Sequence, residues 1–276
     1  MIGGSEPQPV EPRPAASVVL VRASASGAAE PLEVYMIRRK KAMRFLGGFY
    51  AFPGGKVDAA DAAPAVLARC HGLGVDEAES IFPGSHGHPA LAFWVTAVRE
   101  LVEETGVFLV CDDDGRDVDV RSTASTEPFR KALMAGEPFA DVLSTSGWRC
   151  DLRPLRYFSH FVTPRTSPIR FSARFFLCAL PDAQEPRLFT EETSEGFWIH
   201  PGEAYRRFRT RDMAMAEPAE YGCAYLAQFD SLADVLAAHA GGGAEKLRGI
   251  IDRIDFKLWK DFDWKEARWT TPAPER

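Results

Sequence analysis

The chain has 276 residues, of which 46% are hydrophobic and 26% are charged, and its formal net charge is -6. This composition excludes a collagen-like, coiled-coil or wholly disordered protein and predicts a globular protein with a sizeable core. The acidic balance argues against a nucleic-acid partner. No apolar run approaches the roughly 20 residues that span a bilayer, so we expect no membrane partner either.

The cysteines and the N-terminus bear on the compartment. Five cysteines are widely spaced without a CxxC pair, and the N-terminus has no basic segment followed by an apolar one. These features favour a reducing compartment over a disulfide framework or a secretory signal. We therefore expect a cytoplasmic protein, and the sequence leaves a homodimer open.

The first part of the chain mixes strand and helix signals after a proline-rich start. Residues 1–15 are predicted to lack fixed structure. Leu91–Thr105 gives the clearest helix signal, and Gly106 is a candidate C-cap because glycine readily adopts the left-handed conformation found there. The other predicted elements are strands at Ser17–Arg22, Leu32–Ile37 and Val107–Cys111, a short extended piece at Phe49–Phe52, a weak helix at Ala62–His71 and an irregular stretch at Gly72–Pro89.

The second part of the chain also gives both helix and strand signals. One or two helices are predicted over residues 120–150, and the last 75 residues are predicted to be mostly helical, including Ser231–His239 and Ala244–Lys257. Strands are expected at Leu155–Val162, Arg170–Leu180 and Phe197–His200. This order of elements predicts an α+β fold or an α/β/α sandwich with a mixed sheet.

The helix at 91–105 carries the first chemical signal. Glu100, Glu103 and Glu104 stand at positions i, i+3 and i+4, so they share one face of the helix. Like charges at this spacing cost about 0.2–0.5 kcal/mol per pair, and a hard divalent cation would reverse the sign, since Mg²⁺ and Mn²⁺ accept oxygen ligands. The alternative is an acidic helix face that is simply solvated.

A glycine turn upstream favours the cation-binding interpretation of these glutamates over the solvated one. Gly54 and Gly55, in FPGGKVDAAD, let the backbone turn sharply. Together with RELVEETG they resemble the Nudix box, G-x5-E-x7-R-E-U-x-E-E-x-G-U, of the Nudix hydrolase superfamily. Two departures stand out. Asp61 replaces the first glutamate, and 37 residues separate it from Arg99 where the pattern has 7.

An interrupted box is similar to that of the peroxisomal coenzyme A diphosphatases and their bacterial relatives. The segments MIRRKKAMRFLGGFYAFPGG and HFVTPRTSPIRFSARFFLCAL also resemble that branch. The resemblance implies an α/β fold, a Nudix-type α/β/α sandwich with a mixed sheet, over residues 16–205. Residues 62–90 would be an insertion within the box, and residues 206–276 a helical C-terminal extension packing on the same domain.

The resemblance also implies roles for individual residues. Mg²⁺ or Mn²⁺ would be held by the carbonyl of Gly54 and by Glu100, Glu103 and Glu104. Arg99 would orient the glutamates through charge-assisted bonds, with Asp61 beside it. The general base would be one of the box glutamates, Glu100 or Glu103, or a carboxylate of the acidic loop before Trp198, for which Glu192 is our candidate and Glu191 and Glu195 compete.

Basic residues complete the predicted site. Arginines before the glycine turn and around a proline-rich turn fit an anionic nucleoside diphosphate substrate. The candidates for substrate binding are Arg38, Arg39, Arg44, Arg165 and Arg174. The preferred substrate is coenzyme A or acyl-CoA, cleaved to 4′-phosphopantetheine and 3′,5′-ADP. Hydrolysis of ADP-ribose or another nucleoside diphosphate derivative, and a non-catalytic Nudix-like nucleotide-binding module, are the alternatives.

Overall fold

The computed structural model describes residues 10–24, 31–42, 46–165, 167–188 and 193–240, and the backbone of 262–263 and 268–269. Its centre is a seven-stranded mixed sheet. Seven strands form this sheet, and the others form two smaller sheets. In chain order, the strands of the described residues are β1 (Arg13–Ala23), β2 (Leu32–Arg39), β3 (Tyr50–Ala51), β4 (Gly54–Lys56), β5 (Cys70–His71), β6 (Val110–Cys111), β7 (Arg149–Asp151), β8 (Arg156–Val162), β9 (Phe171–Ala179), β10 (Thr193–Ile199), β11 (Phe262–Asp263) and β12 (Arg268–Trp269). The main sheet has the order β10–β2–β1–β9–β8, with β3 on β2 and β4 on β1.

Helices cover both faces of this sheet. They are α1 (Pro64–Leu67), α2 (Val75–Ile81), α3 (Ala90–Thr105), α4 (Thr123–Met134), α5 (Phe139–Thr145), α6 (Pro201–Arg209), α7 (Glu217–Leu226) and α8 (Leu232–Ala238). One apolar core lies between the sheet and α3, and a second lies between the sheet and α6, α7 and α8. The predicted α/β/α sandwich with a mixed sheet is therefore confirmed.

The centre of the sheet opens where the glycine turn lies. β1 and β2 pair at Val21–Ala23 with Leu32–Val34. Toward the other end, β2 pairs with β3 and β1 pairs with β4. The segment 50–56 therefore fills the gap between two diverging central strands, and this places Gly54 and Gly55 beneath α3.

Helix α3 is enclosed on all sides. Of its 16 residues, only Glu100 and Glu103 escape full burial. It ends as predicted, because Gly106 takes φ 65° and its N–H donates to the carbonyl of Val102 at 2.9 Å. An enclosed helix cannot present the solvated acidic face that was the alternative interpretation of its glutamates.

The insertion is more regular than predicted. The stretch Gly72–Pro89 contains α2, and the weak helix predicted at Ala62–His71 reduces to a 3₁₀ turn at Ala59–Ala62 and the short α1 before β5 begins. The sequence analysis predicted neither β5 nor β7. These two strands pair in parallel, and β6 joins them in a second, small sheet. Pairing with partners distant in sequence creates these short strands, so no local pattern marks them.

The two ends of the chain can also be compared with the predicted elements. β1 begins at Arg13, so residues 13–15 pair in the sheet instead of lacking fixed structure. The predicted helix at Ser231–His239 is present as α8, whereas the one at Ala244–Lys257 lies outside the described residues. β11 and β12 form an antiparallel pair within the segment predicted to be mostly helical. In the part of the chain that the structure describes, no helix is long and apolar enough to cross a membrane.

Candidate active site

The glycine turn approaches its neighbours too closely for any side chain. Gly54 has φ +151°, and a Cβ there would overlap the carbonyl of Ala16 and the side chain of Ser17. A Cβ on Gly55 would overlap the carboxylate of Glu100. The Gly54 N–H donates to Glu104 Oε2 at 2.7 Å. The two glycines thus let the turn lie directly against the acidic side chains of α3.

Arg99 gathers the carboxylates into one network. Its Nη1 donates to Glu100 Oε1 at 2.9 Å and to Glu103 Oε2 at 3.0 Å. Its Nη2 also donates to the carbonyl of Lys56 at 3.0 Å, which ties α3 to the end of β4. The arginine is only 8% exposed. Charge-assisted bonds of this kind are stronger than neutral ones, so they fix both glutamates relative to the turn.

Asp61 holds Arg99 from the other side. Nε and Nη2 of Arg99 donate to the two carboxylate oxygens of Asp61, both at 2.8 Å. Asp61 is 1% exposed, and its Oδ2 also accepts from Thr96 Oγ1 at 2.8 Å and from the Asp58 N–H at 3.0 Å. The shorter side chain of aspartate is therefore sufficient, because the 3₁₀ turn carries it to the guanidinium.

Burial makes the charged form of these glutamates costly. Burial raises the pKa of Glu100 to about 7, against the opposing effect of Arg99. Burial likewise raises the pKa of Glu103, again opposed by Arg99. Desolvated carboxylates that lie close together favour a cation between them.

The oxygens around the turn suit a hard divalent cation. One oxygen each of Glu100 and Glu103 is bound to Arg99, and the second oxygen of each takes no hydrogen bond from the described residues. Within those residues, no group of three acidic, histidine or cysteine side chains is already drawn together at a metal-binding site. The donor set is nevertheless all oxygen, and the carboxylate of Glu100 lies against the space that a side chain at Gly55 would occupy.

The predicted basic residues divide between the two faces of the sheet. Residues alternate along β2, with Tyr35 and Ile37 in the α3 core and Val34 and Met36 in the opposite core. Arg38 follows the second set and donates to Glu195 Oε1 at 2.7 Å. Arg38 is thus paired with a carboxylate on the face opposite α3, and the structure does not bring it to the acidic network.

The remaining candidates lie in different settings. By the same alternation, Arg39 is on the α3 face, where its Nε is buried without a hydrogen-bond partner among the described residues. Arg165 is exposed on the turn between β8 and β9, and Arg174 is buried on β9. Arg44, Glu191 and Glu192 lie outside the described residues, and Glu195, the other competing base, is bound to Arg38.

Two supporting residues had no sequence signal. Thr96 lies one helical turn before Arg99 and bonds Asp61, which only the folded position of the 3₁₀ turn reveals. Glu79 of α2 accepts from the N–H of Ala90 and from that of Gly84, both at 2.8 Å, and these bonds lower the pKa of Glu79. The insertion therefore caps the N-terminus of α3 through Glu79.

Known proteins are similar to this chain along most of its length. A model of the NUDT19 Nudix domain family matches residues 12–226. The acyl-coenzyme A diphosphatase NUDT19 of Gallus gallus is 28% identical, with 81% of this chain and 70% of that protein covered. Its Homo sapiens counterpart is also 28% identical, with 85% and 74% covered.

A solved structure agrees with this assignment. The crystal structure of a Nudix hydrolase from Alicyclobacillus acidocaldarius is 33% identical, with a TM-score of 0.69 over 84% of this chain and 97% of that one. The predicted resemblance to the coenzyme A diphosphatase branch is confirmed by these matches. The chain therefore belongs to the NUDT19 Nudix domain family of pyrophosphohydrolases.

Proposed function

We propose that this protein hydrolyses the diphosphate bond of coenzyme A or acyl-CoA, releasing 4′-phosphopantetheine, or its acyl form, and 3′,5′-ADP. The single observation that carries the chemistry is the network in which Arg99 holds Glu100 and Glu103 beside the glycine turn. The similarity to the acyl-coenzyme A diphosphatases of Gallus gallus and Homo sapiens supports the choice of substrate.

The cofactor of the proposed reaction is Mg²⁺ or Mn²⁺. The carbonyl of Gly54 and the carboxylates of Glu100, Glu103 and Glu104 would hold it, since oxygen-only donors suit these ions. When bound, such an ion neutralises phosphate charge and lowers the pKa of water.

The side chains have separate tasks in this proposal. Arg99 keeps Glu100 and Glu103 in place, and Asp61 keeps Arg99 in place. Water adds to one phosphorus while the bridging P–O bond breaks, so two phosphate monoesters result. The proton of the water passes to Glu100, Glu103 or Glu192, and positioning and electrostatics supply most of the rate.

Product identification with a matched pair of variants tests this proposal. Coenzyme A and ADP-ribose are incubated with the protein and Mg²⁺, and the products are identified by mass spectrometry. Glu103→Gln is expected to lower kcat by about 10²–10³-fold, because the reacting groups lose a preorganised charge. The control is Glu127→Gln, which alters an exposed glutamate of α4 paired with Arg130 and is expected to keep the wild-type kcat.

Each outcome separates the alternatives. A higher kcat/KM for ADP-ribose would replace the proposed substrate and leave the diphosphatase chemistry intact. Nucleotide binding without turnover of any diphosphate would indicate a binding module. Unchanged turnover in Glu103→Gln would remove Glu103 from the proposed metal site.

A further inference from the structure

Arg174 stands in the same cross-strand row as the glycine turn. Gly55 pairs with Ala16 of β1, Ala16 pairs with Arg174 of β9, and Arg174 pairs with His160 of β8. Adjacent strands are about 4.8 Å apart, so the backbone of Arg174 lies on the order of 10 Å from that of Gly55. Directly paired residues also share a face, and this face is the one that α3 covers.

The guanidinium of Arg174 is buried without a carboxylate. It is 8% exposed, Nη1 donates to Tyr157 Oη at 2.9 Å, and its carbon lies 4.3 Å from the centre of the Phe82 ring. Nε is buried without a hydrogen-bond partner, and no described carboxylate forms an ion pair with this side chain. Arginine cannot shed its charge, so this cation is uncompensated among the residues that the structure describes.

Such an arrangement is costly unless an anion completes it. Burying a charge without a counter-ion is strongly unfavourable, and contact with a ring face returns only about 2 kcal/mol when the pair is desolvated. A bound phosphate would supply the opposite charge and accept from the donors of the guanidinium fork. The aromatic groups of Phe82 and Tyr157 would keep the fork oriented in the meantime.

Two histidines border the same position. His160 Nε2 shares a hydrogen bond with Ser172 Oγ at 2.8 Å, and His160 pairs with Arg174 across the strands. Partial burial and the positive charges of Arg174 and His86 lower the pKa of His160 to about 4. His86 is exposed and belongs to the insertion, as does Phe82. Arg174 is therefore buried beside these two histidines, and we call the group formed by Arg174, Tyr157, Phe82, His160 and His86 the recess.

We propose that this recess, formed by Arg174, Tyr157, Phe82, His160 and His86, binds a phosphate monoester of the substrate that is separate from the diphosphate being cleaved. In coenzyme A this group is the 3′-phosphate of the ribose. The inference rests on the proposed function for its substrate, and it assigns the insertion a part in recognition through Phe82 and His86.

Paired substrates measure the contribution of the recess. Values of kcat/KM are determined for coenzyme A and for dephospho-coenzyme A, which lacks only the 3′-phosphate. The wild-type ratio is expected to exceed one, and Arg174→Gln is expected to lower that ratio at least tenfold, since truncating one partner of a buried charge pair is costly. Arg174→Lys retains the charge, so it should lower the ratio less.

The control is Arg38→Gln, because Arg38 lies on the opposite face of the sheet, where it is paired with Glu195. This variant is expected to keep the wild-type ratio. An equal ratio in wild type and Arg174→Gln would overturn the inference while leaving the proposed function in place.

A binding measurement on the wild-type protein covers the remaining cases, in which neither substrate is cleaved or Arg174→Gln does not fold. Calorimetry compares adenosine 3′,5′-bisphosphate with adenosine 5′-monophosphate. At least tenfold tighter binding of the bisphosphate supports the recess, even when the absence of turnover contradicts the proposed function. Equal affinities overturn it.

Discussion

Arg99 and Arg174 are exposed to the same small extent, 8% each, and both lie on the α3 side of the sheet, yet their surroundings are opposite. Arg99 contacts the carboxylates of Asp61, Glu100 and Glu103. Arg174 contacts a phenol and aromatic rings, with no carboxylate ion pair among the described residues.

The difference separates two uses of a buried cation. The charge of Arg99 is balanced within the protein, so its role is to hold acidic side chains in a fixed arrangement. The charge of Arg174 has no such balance among the described residues, and this is why we propose that it serves a ligand. Burial alone therefore does not distinguish a positioning arginine from a binding arginine, whereas the neighbouring charges do.

The largest expected effect is on stability at Arg99. Arg99→Gln should lower the free energy of unfolding by about 3–5 kcal/mol, because it leaves the buried carboxylate of Asp61 without its cation. Arg174→Gln should change the free energy of unfolding by less than about 1 kcal/mol, since the lost ring contact and hydrogen bond are offset by removal of a buried charge that no described carboxylate pairs. Urea unfolding of the metal-free protein measures both. Equal losses would contradict the distinction between the two arginines.

An intermediate effect is expected at Thr96. Thr96→Val should lower the free energy of unfolding by about 1–2 kcal/mol, because Asp61 Oδ2 loses a buried hydrogen-bond donor. The matched control is Thr105→Val in the same helix, where the hydroxyl donates to the carbonyl of Leu101 and reaches no carboxylate. A loss no greater than that of the control, in the same urea experiment, would show that Asp61 does not depend on Thr96.

The smallest expected effect concerns the recess. Arg174→Gln should raise the pKa of His160 from about 4 toward its ordinary value, because a positive charge that opposes protonation is removed while burial remains. NMR titration of the imidazole C–H signal follows this change. Arg38→Gln, on the other face of the sheet, should leave the pKa of His160 where it is. An unchanged pKa of His160 in Arg174→Gln would mean that the guanidinium does not influence the protonation of this histidine.

Several features followed from sequence because their signals are local. The helix 91–105 has an apolar pattern and a glycine C-cap, and the spacing of Glu100, Glu103 and Glu104 is set by the helical period alone. The main strands are rich in β-branched and aromatic residues. The contact between Arg99 and Glu103 also follows from the i, i+4 geometry.

Other features depended on distant partners. Strand β2 is apolar on both faces, so its sequence lacks the alternation that would have shown which face Arg38 takes. The α2 helix was missed because glycines and prolines surround it. Strands β5 and β7 are two and three residues long and exist through pairing with each other.

By itself the sequence determined the family, the α/β class, the acidic helix 91–105 and the glycine turn, because each is encoded in residues that are close together in the sequence. Only the tertiary structure decided that Asp61 reaches Arg99, that Arg38 faces away from α3, and that no described carboxylate pairs with Arg174. The physical reason is that the state of a charge depends on the groups that surround it in space. Chain folding sets those neighbours across 38 residues for Asp61 and Arg99, a separation that no local pattern spans.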